Sequence, residues 1–322
     1  MIYSKIVGTG RYLPEQIMTN ADLEKIVDTN SEWIRTRTGV EQRHLAAEGQ
    51  MTSDLCVEAA RKAIENAGIT IDEIDIIIIG TTSPDLIFPN IGTIVQHKLG
   101  MHGCPAFSLE AACTSFIYAL ATADKFIRTG ESKCALVIGA EVFTKLLDWN
   151  DRTTCVLFGD GAGAVIIKSA DEPGIISCHL GADGKYKDLL YYPAGVSHDL
   201  HKAGVGDAGI RMSGNEVFKV AVKTLSNIAS EALAANNLDP SDIDWLIPHQ
   251  ANLRIIQATA KRLNLSMEKV IVTVKDHGNT SAASVPMALD VAIHDSRIKR
   301  GQLILMEALG AGFTWGSILM RY

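Results

Sequence analysis

The chain runs twice through one pattern. In its first half a helix ending AIENAGITIDEID leads into the strand Ile76-Ile77-Ile78-Ile79; in its second, ALAANNLDPSDID leads into Trp245-Leu246-Ile247. LEAAC before a helix is matched by VKDHGN before a helix, and FGDGAGAVII by LGAGFTWGSIL. Three correspondences in the same order mark an internal duplication. Strands alternate with helices and are continuous apolar runs. The expected class is therefore α/β with largely parallel sheets covered on both faces. The two halves are expected to be 1–170 and 171–322. Duplication sets equivalent strand-to-helix corners beside a pseudo-twofold axis, where residues of both halves can meet.

Within that frame the first strand ends in Gly8-Thr9-Gly10. Asn20 caps a short helix over 21–27, and Ser31 opens another carrying Trp33, Arg35 and Arg37. Residues 52–67 form an amphipathic helix closed by Gly68, and 91–99 another. From 170 to 207 clusters of Gly, Asp, Pro and Tyr break the pattern, predicting a crossover plus an inserted loop around 195–209. Alternation then resumes with helix 216–236, strand 243–247, helix 251–263, strand 270–274, helix 283–294 and strands 302–308 and 313–321.

Three polar corners follow strands, where open α/β sheets hold their ligands. The first is Cys113, between the alternating Ala106-Phe107-Ser108-Leu109 and a helix whose Phe116, Leu120, Ala123 and Ile127 share one face. Free backbone N–H groups and the helix dipole there favour a thiolate, and the same N–H groups can hold an oxyanion. The second is Pro248-His249-Gln250-Ala251-Asn252, and the third is His277-Gly278-Asn279-Thr280-Ser281-Ala282-Ala283-Ser284. Read alone, Cys113 is a small buried apolar residue, each histidine a structural one and Asn279 a turn or cap residue. Together Cys113, His249 and Asn279 supply a nucleophile and two hydrogen-bond donors.

A net charge of −7 argues against nucleic acid or an anionic membrane as partner, and no apolar run reaches a membrane span. The opening MIYSKIVGTGRYLPEQ lacks a basic-then-apolar leader, so a cytoplasmic protein is expected. Cys56, Cys104, Cys113, Cys134, Cys155 and Cys178 form no CxxC pair. Neither a disulfide framework nor a metal site is expected.

The phrases AAC before a helix, PHQAN, HGNTSAAS, GAGFTWG, GTGRYLPE, WIRTRTG and FGDGAGA, spread over the whole chain, resemble the thiolase-fold condensing enzymes. Specifically they resemble the β-ketoacyl-acyl-carrier-protein synthase III family. Asn279, where elongating members carry a second histidine, favours the initiating class. The resemblance implies a thiolase-like, layered α-β-α-β-α architecture of two βαβαβ-type halves. It implies an acyltransferase that condenses an acyl-CoA primer, acetyl-CoA by expectation, with malonyl-acyl-carrier-protein through an acyl-Cys113 intermediate. No cofactor is implied, since acyl-CoA is a substrate. An oxyanion hole is implied at the N–H groups of Cys113 and Ala311, in Gly310-Ala311-Gly312. CoA contacts are implied at Trp33 and Arg152, sandwiching adenine, with Arg37 and Asn252. Phe88, in LIFPN, resembles a residue that crosses a homodimer interface into the partner's acyl pocket. Arg254 and Lys261, seven apart on one helical face, with Arg262 and Lys219, form a basic patch proposed to dock acidic acyl carrier protein. Thr114-Ser115 depart from the small pair expected after the cysteine and point to an altered pocket floor. The alternatives are a secondary-metabolite ketosynthase, a thiolase-like enzyme using CoA throughout, a cysteine hydrolase, and an inert acyl-binding protein with Cys113 in its core.

Overall fold

The computed structural model describes residues 2–198 and 209–322, so most of the predicted 195–209 loop lies outside the described residues. Two sheets carry the fold. The first orders its strands Tyr3–Tyr12, Gly161–Ala170, Cys134–Glu141, Ile76–Gly80 and Ala106–Leu109; the second orders Trp245–Pro248, Leu303–Gly310, Thr314–Arg321 and Ile175–Ala182. Between the sheets lie the helices Ser115–Thr129 and Ser284–His294, whose Phe116, Ile117, Leu120, Val285 and Leu289 pack in one core with Ile76, Ile78, Ile304 and Met306. On the outer face of the first sheet the helix Thr52–Ala67 packs Leu55, Ala59, Ala60 and Ala63 on Ile77 and Ile79. The helices Gly214–Ala235 and Leu253–Arg262 cover the second sheet. This is the layered α-β-α-β-α arrangement that the resemblance implies. It also explains why Ile76 to Ile79 do not alternate with polar residues. Successive side chains enter opposite cores, all four fully buried, and each burial contributes about 1.5–3 kcal/mol.

Several duplicated elements match to the residue. An offset of 169 carries strand 76 onto 245, strand 134–141 onto 303–310, the short 3₁₀ turn 112–114 onto 281–283, and helix start 115 onto 284. Ala112 and Ser281, equivalent in this register, share the same left-handed φ of 48°. Asn279 therefore corresponds to Glu110 rather than to Cys113; the corners match while the chemistry sits three positions apart.

Four expectations are corrected. The sheets are mixed rather than largely parallel, because Cys134–Glu141 pairs antiparallel with Gly161–Ala170, and Leu303–Gly310 with Thr314–Arg321. Parallel pairing needs a crossover, usually a helix, and neither link contains a crossover helix. Ile175–Ala182, in the stretch read as irregular, is a strand pairing with Thr314–Arg321; only partly buried, it lacks the apolar run that marks central strands. Val270–Val274 makes a single bridge, Leu246 to Val270. The Gln250 side-chain oxygen takes the N–H groups of Thr273 (2.7 Å) and Val274 (3.1 Å), turning that segment away from a ladder. The first short helix, Asn20–Leu23, is capped by Thr19 in a capping box with Asp22, and Ser31–Thr38 by Asn30. Asn20 instead spends its amide on the Val40 carbonyl and the buried Arg43.

Candidate active site

Cys113, His249, Asn279 and Ala311 line one cavity of about 460 Å³, with Trp33, Arg37, Asn252 and Arg254 also on its walls. The three predicted corners thus converge. Leu190, Tyr192, Phe218, Leu225 and Leu309 make the cavity largely apolar, which suits an acyl chain.

Cys113 sits in the 3₁₀ turn Ala112–Thr114 just ahead of the helix Ser115–Thr129. The Ser115 hydroxyl fastens that turn: it donates to the Ala112 carbonyl (2.6 Å) and accepts from the Ala111 N–H (2.8 Å). Thr114 bonds the Thr314 carbonyl at 3.2 Å. These two side chains secure the elbow and are not among the residues lining the cavity, contrary to the pocket-floor expectation. Gly310 has no room for a side chain. A Cβ there would stand 2.8 Å from the Cys113 nitrogen and 2.6 Å from the Ala111 oxygen, so only glycine lets the terminal loop reach the nucleophile's backbone.

The thiolate expectation is also corrected. Burial pushes the Cys113 thiol from near 9.0 up to about 12, with Glu141 and Glu110 adding repulsion and the Ser281 hydroxyl acting the other way. Three pH units of destabilised thiolate amount to about 4 kcal/mol, against the ~0.3–1 kcal/mol, at most ~2, of a helix end. The resting group is a thiol.

His249 follows the strand Trp245–Pro248 and is fixed by its backbone N–H on the Glu307 carbonyl at 2.8 Å. Its Nδ1 lies 2.6 Å from Ser284 Oγ, which also accepts the Gln250 N–H at 3.3 Å. Burial pulls the imidazole down to about 3, so it is neutral. With the serine hydroxyl given to Nδ1, the Nε2–H is left for the cavity. Asn279 is held by its backbone on both sides, its N–H on the Leu157 carbonyl (2.8 Å) and its carbonyl on the Gly159 N–H (3.0 Å). Its side-chain oxygen accepts from the Ser281 N–H at 2.9 Å, which leaves the NH₂ end as donor. His277, half-buried and pulled down to about 4, is not among the cavity's lining residues. Within PHQAN, Gln250 staples the loop through the Pro248 and Ile271 carbonyls, and Asn252 caps the helix Leu253–Arg262.

At the mouth, the Arg152 guanidinium lies 5.3 Å from the Trp33 ring centre and Arg37 lies 6.0 Å from it. A base stacked between Trp33 and Arg152, as the resemblance implies, needs about twice the ~3.5–4 Å contact distance; at 5.3 Å the two side chains stack on each other instead. The Asn252 amide is committed to the Arg37 carbonyl (3.0 Å) and the Arg254 N–H (2.8 Å). Arg254, Lys261 and Arg262 are exposed, with Arg254 over the Phe218 ring. Lys219, exposed too, is paired with Glu216 at 2.8 Å, which tempers its charge. Phe88 is 82% exposed beside exposed Leu86 and Ile87, lies in an apolar loop and is not among the residues lining this chain's cavity.

All six cysteines are free, and no helix among the described residues is long and apolar enough to cross a membrane. Sequence reasoning missed Ser284, Ser281 and Glu141. The first two lay within HGNTSAAS without a role, and nothing in the strand CALVIGAE set its glutamate apart.

Residues 107–184 match the family described as 3-oxoacyl-[acyl-carrier-protein (ACP)] synthase III, and residues 233–322 match that enzyme's C-terminal region. A β-ketoacyl-[acyl-carrier-protein] synthase III of Xanthomonas campestris pv. campestris is 60% identical over 321 residues, covering 100% of this chain and 99% of that protein. The crystal structure of the 3-oxoacyl-[acyl-carrier-protein] synthase III of Aquifex aeolicus superposes with a TM-score of 0.93 at 45% identity, over 99% of this chain and 100% of that one. The priming β-ketosynthase of the R1128 polyketide biosynthetic pathway superposes with a TM-score of 0.94 at 34% identity, over 99% and 96%.

Proposed function

This chain belongs to the 3-oxoacyl-acyl-carrier-protein synthase III family, and from that premise we propose how its own residues divide the reaction. It is an acyltransferase of the initiating class. It joins an acyl-CoA primer to malonyl-acyl-carrier-protein, giving 3-ketoacyl-acyl-carrier-protein, CoA and CO₂ in the first condensation of bacterial fatty acid synthesis. Acetyl-CoA is the proposed primer.

In the first half-reaction the Cys113 sulfur attacks the thioester carbonyl, and the backbone N–H groups of Cys113 and Ala311 hold the tetrahedral oxyanion until CoA leaves. In the second, malonyl-thioester loses CO₂ and the electron pair passes to an enolate. The Nε2–H of His249 and the NH₂ of Asn279 donate to its oxygen. Its carbon then attacks acyl-Cys113, and the sulfur leaves. The observation that carries this reading is a cavity holding a cysteine, a histidine kept neutral by burial, and an amide whose oxygen is already occupied. A charged imidazolium would bind the malonyl carboxylate and oppose its loss; two neutral donors in an apolar cavity favour the enolate. Neither step needs a metal or cofactor.

Trp33, Arg37 and Arg152, with Asn252 shaping the loop, are the proposed CoA site. Arg254, Lys261, Arg262 and Lys219 are the proposed carrier-protein surface, and Phe88 the proposed partner-facing residue of a cytoplasmic homodimer. Residues 1–170 supply the nucleophile and 171–322 the two donors. A secondary-metabolite priming role draws support from the R1128 likeness, but the 60% relative favours fatty acid synthesis. The test is to mix the protein with acetyl-CoA and malonyl-acyl-carrier-protein. CO₂ and a 3-ketobutyryl carrier protein are expected; condensation only with CoA-bound malonate would contradict the assignment.

A further inference from the structure

Of the fully buried acids that the mechanism leaves without a task, Glu141 is the one that acts on the nucleophile. Glu141 ends the strand Cys134–Glu141 and is enclosed by hydrogen bonds: from the Ser83 hydroxyl at 2.5 Å, the Thr82 N–H at 3.1 Å, the Thr81 hydroxyl at 3.4 Å and the Ser281 hydroxyl at 3.2 Å. The turn that carries Ser281 packs against the turn that carries Cys113, and the Ser281 hydroxyl favours the Cys113 thiolate. One hydroxyl therefore lies between the nucleophile's turn and a buried carboxyl. Ser281 adopts φ 48° without being glycine, as its counterpart Ala112 does, and Ser281 and Glu141 are wholly sealed from solvent.

The two half-reactions also pose a proton problem. Acylation must remove a proton from a thiol that burial makes reluctant to ionise. Condensation expels the same sulfur as a thiolate that must regain one. We propose that Glu141 stores this proton between the half-reactions, passing it to and from Cys113 through the Ser281 hydroxyl.

During acylation the thiol proton moves to Ser281 Oγ as the Ser281 proton moves to the Glu141 carboxylate. The sulfur's electron pair forms the new C–S bond, and CoA leaves as a thiolate that takes a proton from solvent. The acyl-enzyme then holds a protonated Glu141. When the enolate carbon attacks and the C–S bond to Cys113 breaks, Glu141 returns its proton by the same path. The cycle consumes one solvent proton, at acylation. Burial supports the assignment by raising Glu141 to about 7, where it accepts and releases a proton near neutrality. The titratable groups facing it are Cys113, Glu110 and buried Cys56, with Asp85, Asp54 and Lys98 acting on Cys56. Glu141 touches no substrate and acts only through Ser281. The relay rests on Cys113 being the acyl acceptor.

The experiment measures alkylation of Cys113 by iodoacetamide and its acetylation by acetyl-CoA across about pH 5.5–9, using full-length wild type, Glu141→Gln and Ser281→Ala. An alanine is compatible with the left-handed backbone at 281, because its counterpart Ala112 has the same φ. Both wild-type rates are expected to rise through about pH 7. In either variant that rise is expected to disappear and the rate near pH 8 to fall about a hundredfold. A stopped-flow indicator near pH 8 is expected to show proton uptake with acylation in the wild type. If Glu141 were only a buried charge, Glu141→Gln would remove a repulsion and alkylation would quicken, overturning the relay. A rise near pH 7 retained in Ser281→Ala would overturn it too. Should wild type take no acetyl group on Cys113, the nucleophile assignment fails first, and the relay with it.

Discussion

Nδ1 of His249 and the hydroxyl oxygen of Ser284 lie 2.6 Å apart, and Ser284 opens the helix equivalent to the one behind Cys113. The duplicated position in the first half, Ser115, fastens the nucleophile's elbow. The same serine in the two halves thus locks a turn in one and orients an imidazole in the other.

Ser284→Ala removes that restraint without touching the cavity. Of the two hydrogen bonds lost, to Nδ1 and from the Gln250 N–H, the one to Nδ1, about 0.5–1.5 kcal/mol, is expected to slow condensation by up to about tenfold while leaving Cys113 acetylation unchanged. Separate single-turnover assays of the two half-reactions check this. An equal loss in both would show that Ser284 serves the fold rather than the histidine.

Truncating the donors is expected to split the half-reactions more widely. His249→Ala and Asn279→Ala should each slow malonyl decarboxylation by roughly 10²–10³, the cost of one oxyanion donor, with acetylation changed far less. Release of labelled CO₂ against acetyl incorporation measures the two. Parallel losses would contradict the division of roles.

Arg254→Glu and Lys261→Glu reverse charge on one exposed helical face. They are expected to raise KM for malonyl-acyl-carrier-protein roughly tenfold, more at low salt than at high, and to leave acetylation by acetyl-CoA nearly unchanged. Lys261 is the cleaner probe, because Arg254 also lines the cavity. No selectivity between the substrates would move the docking surface elsewhere.

Much of this was legible because burial and turn chemistry leave marks in sequence. Four isoleucines in a row announced a strand covered on both faces, and Gly68 ended its helix with φ 65°. Cys113, His249 and Asn279 stood out as polar residues at corners between apolar segments and the helices that follow them. What stayed hidden depended on long-range partners. Glu307 and Glu141 look like ordinary strand residues until three-dimensional packing seals them. The turn over Val274–His277 exists because a distant amide, Gln250, takes N–H groups that a ladder would use. The Cys113 acidity was misjudged for a related reason: the dipole is local and readable, whereas desolvation is set by the whole cavity.

Glu307 gives a stability prediction. It is fully buried, neither carboxyl oxygen has a hydrogen-bond partner among the described residues, and burial raises it from 4.5 to about 8. Folded protein thus keeps a proton that unfolded chain releases, so this group's contribution weakens as pH rises from about 4.5 to 8. At pH 7 the cost is on the order of 3 kcal/mol. Glu307→Gln cannot ionise, so its stability relative to wild type is expected to grow from pH 5 to pH 8. Denaturant midpoints at the two pH values check this; a constant difference would refute it.

The central claim is that Cys113 accepts the acyl group. Peptide-level mass spectrometry after mixing the protein with acetyl-CoA alone tests it most directly. One acetyl group on the peptide carrying Cys113, absent in Cys113→Ala, is the predicted result. An unmodified Cys113 with acetyl-CoA and with longer and branched acyl-CoAs would contradict it and leave an inert acyl-binding protein as the better account.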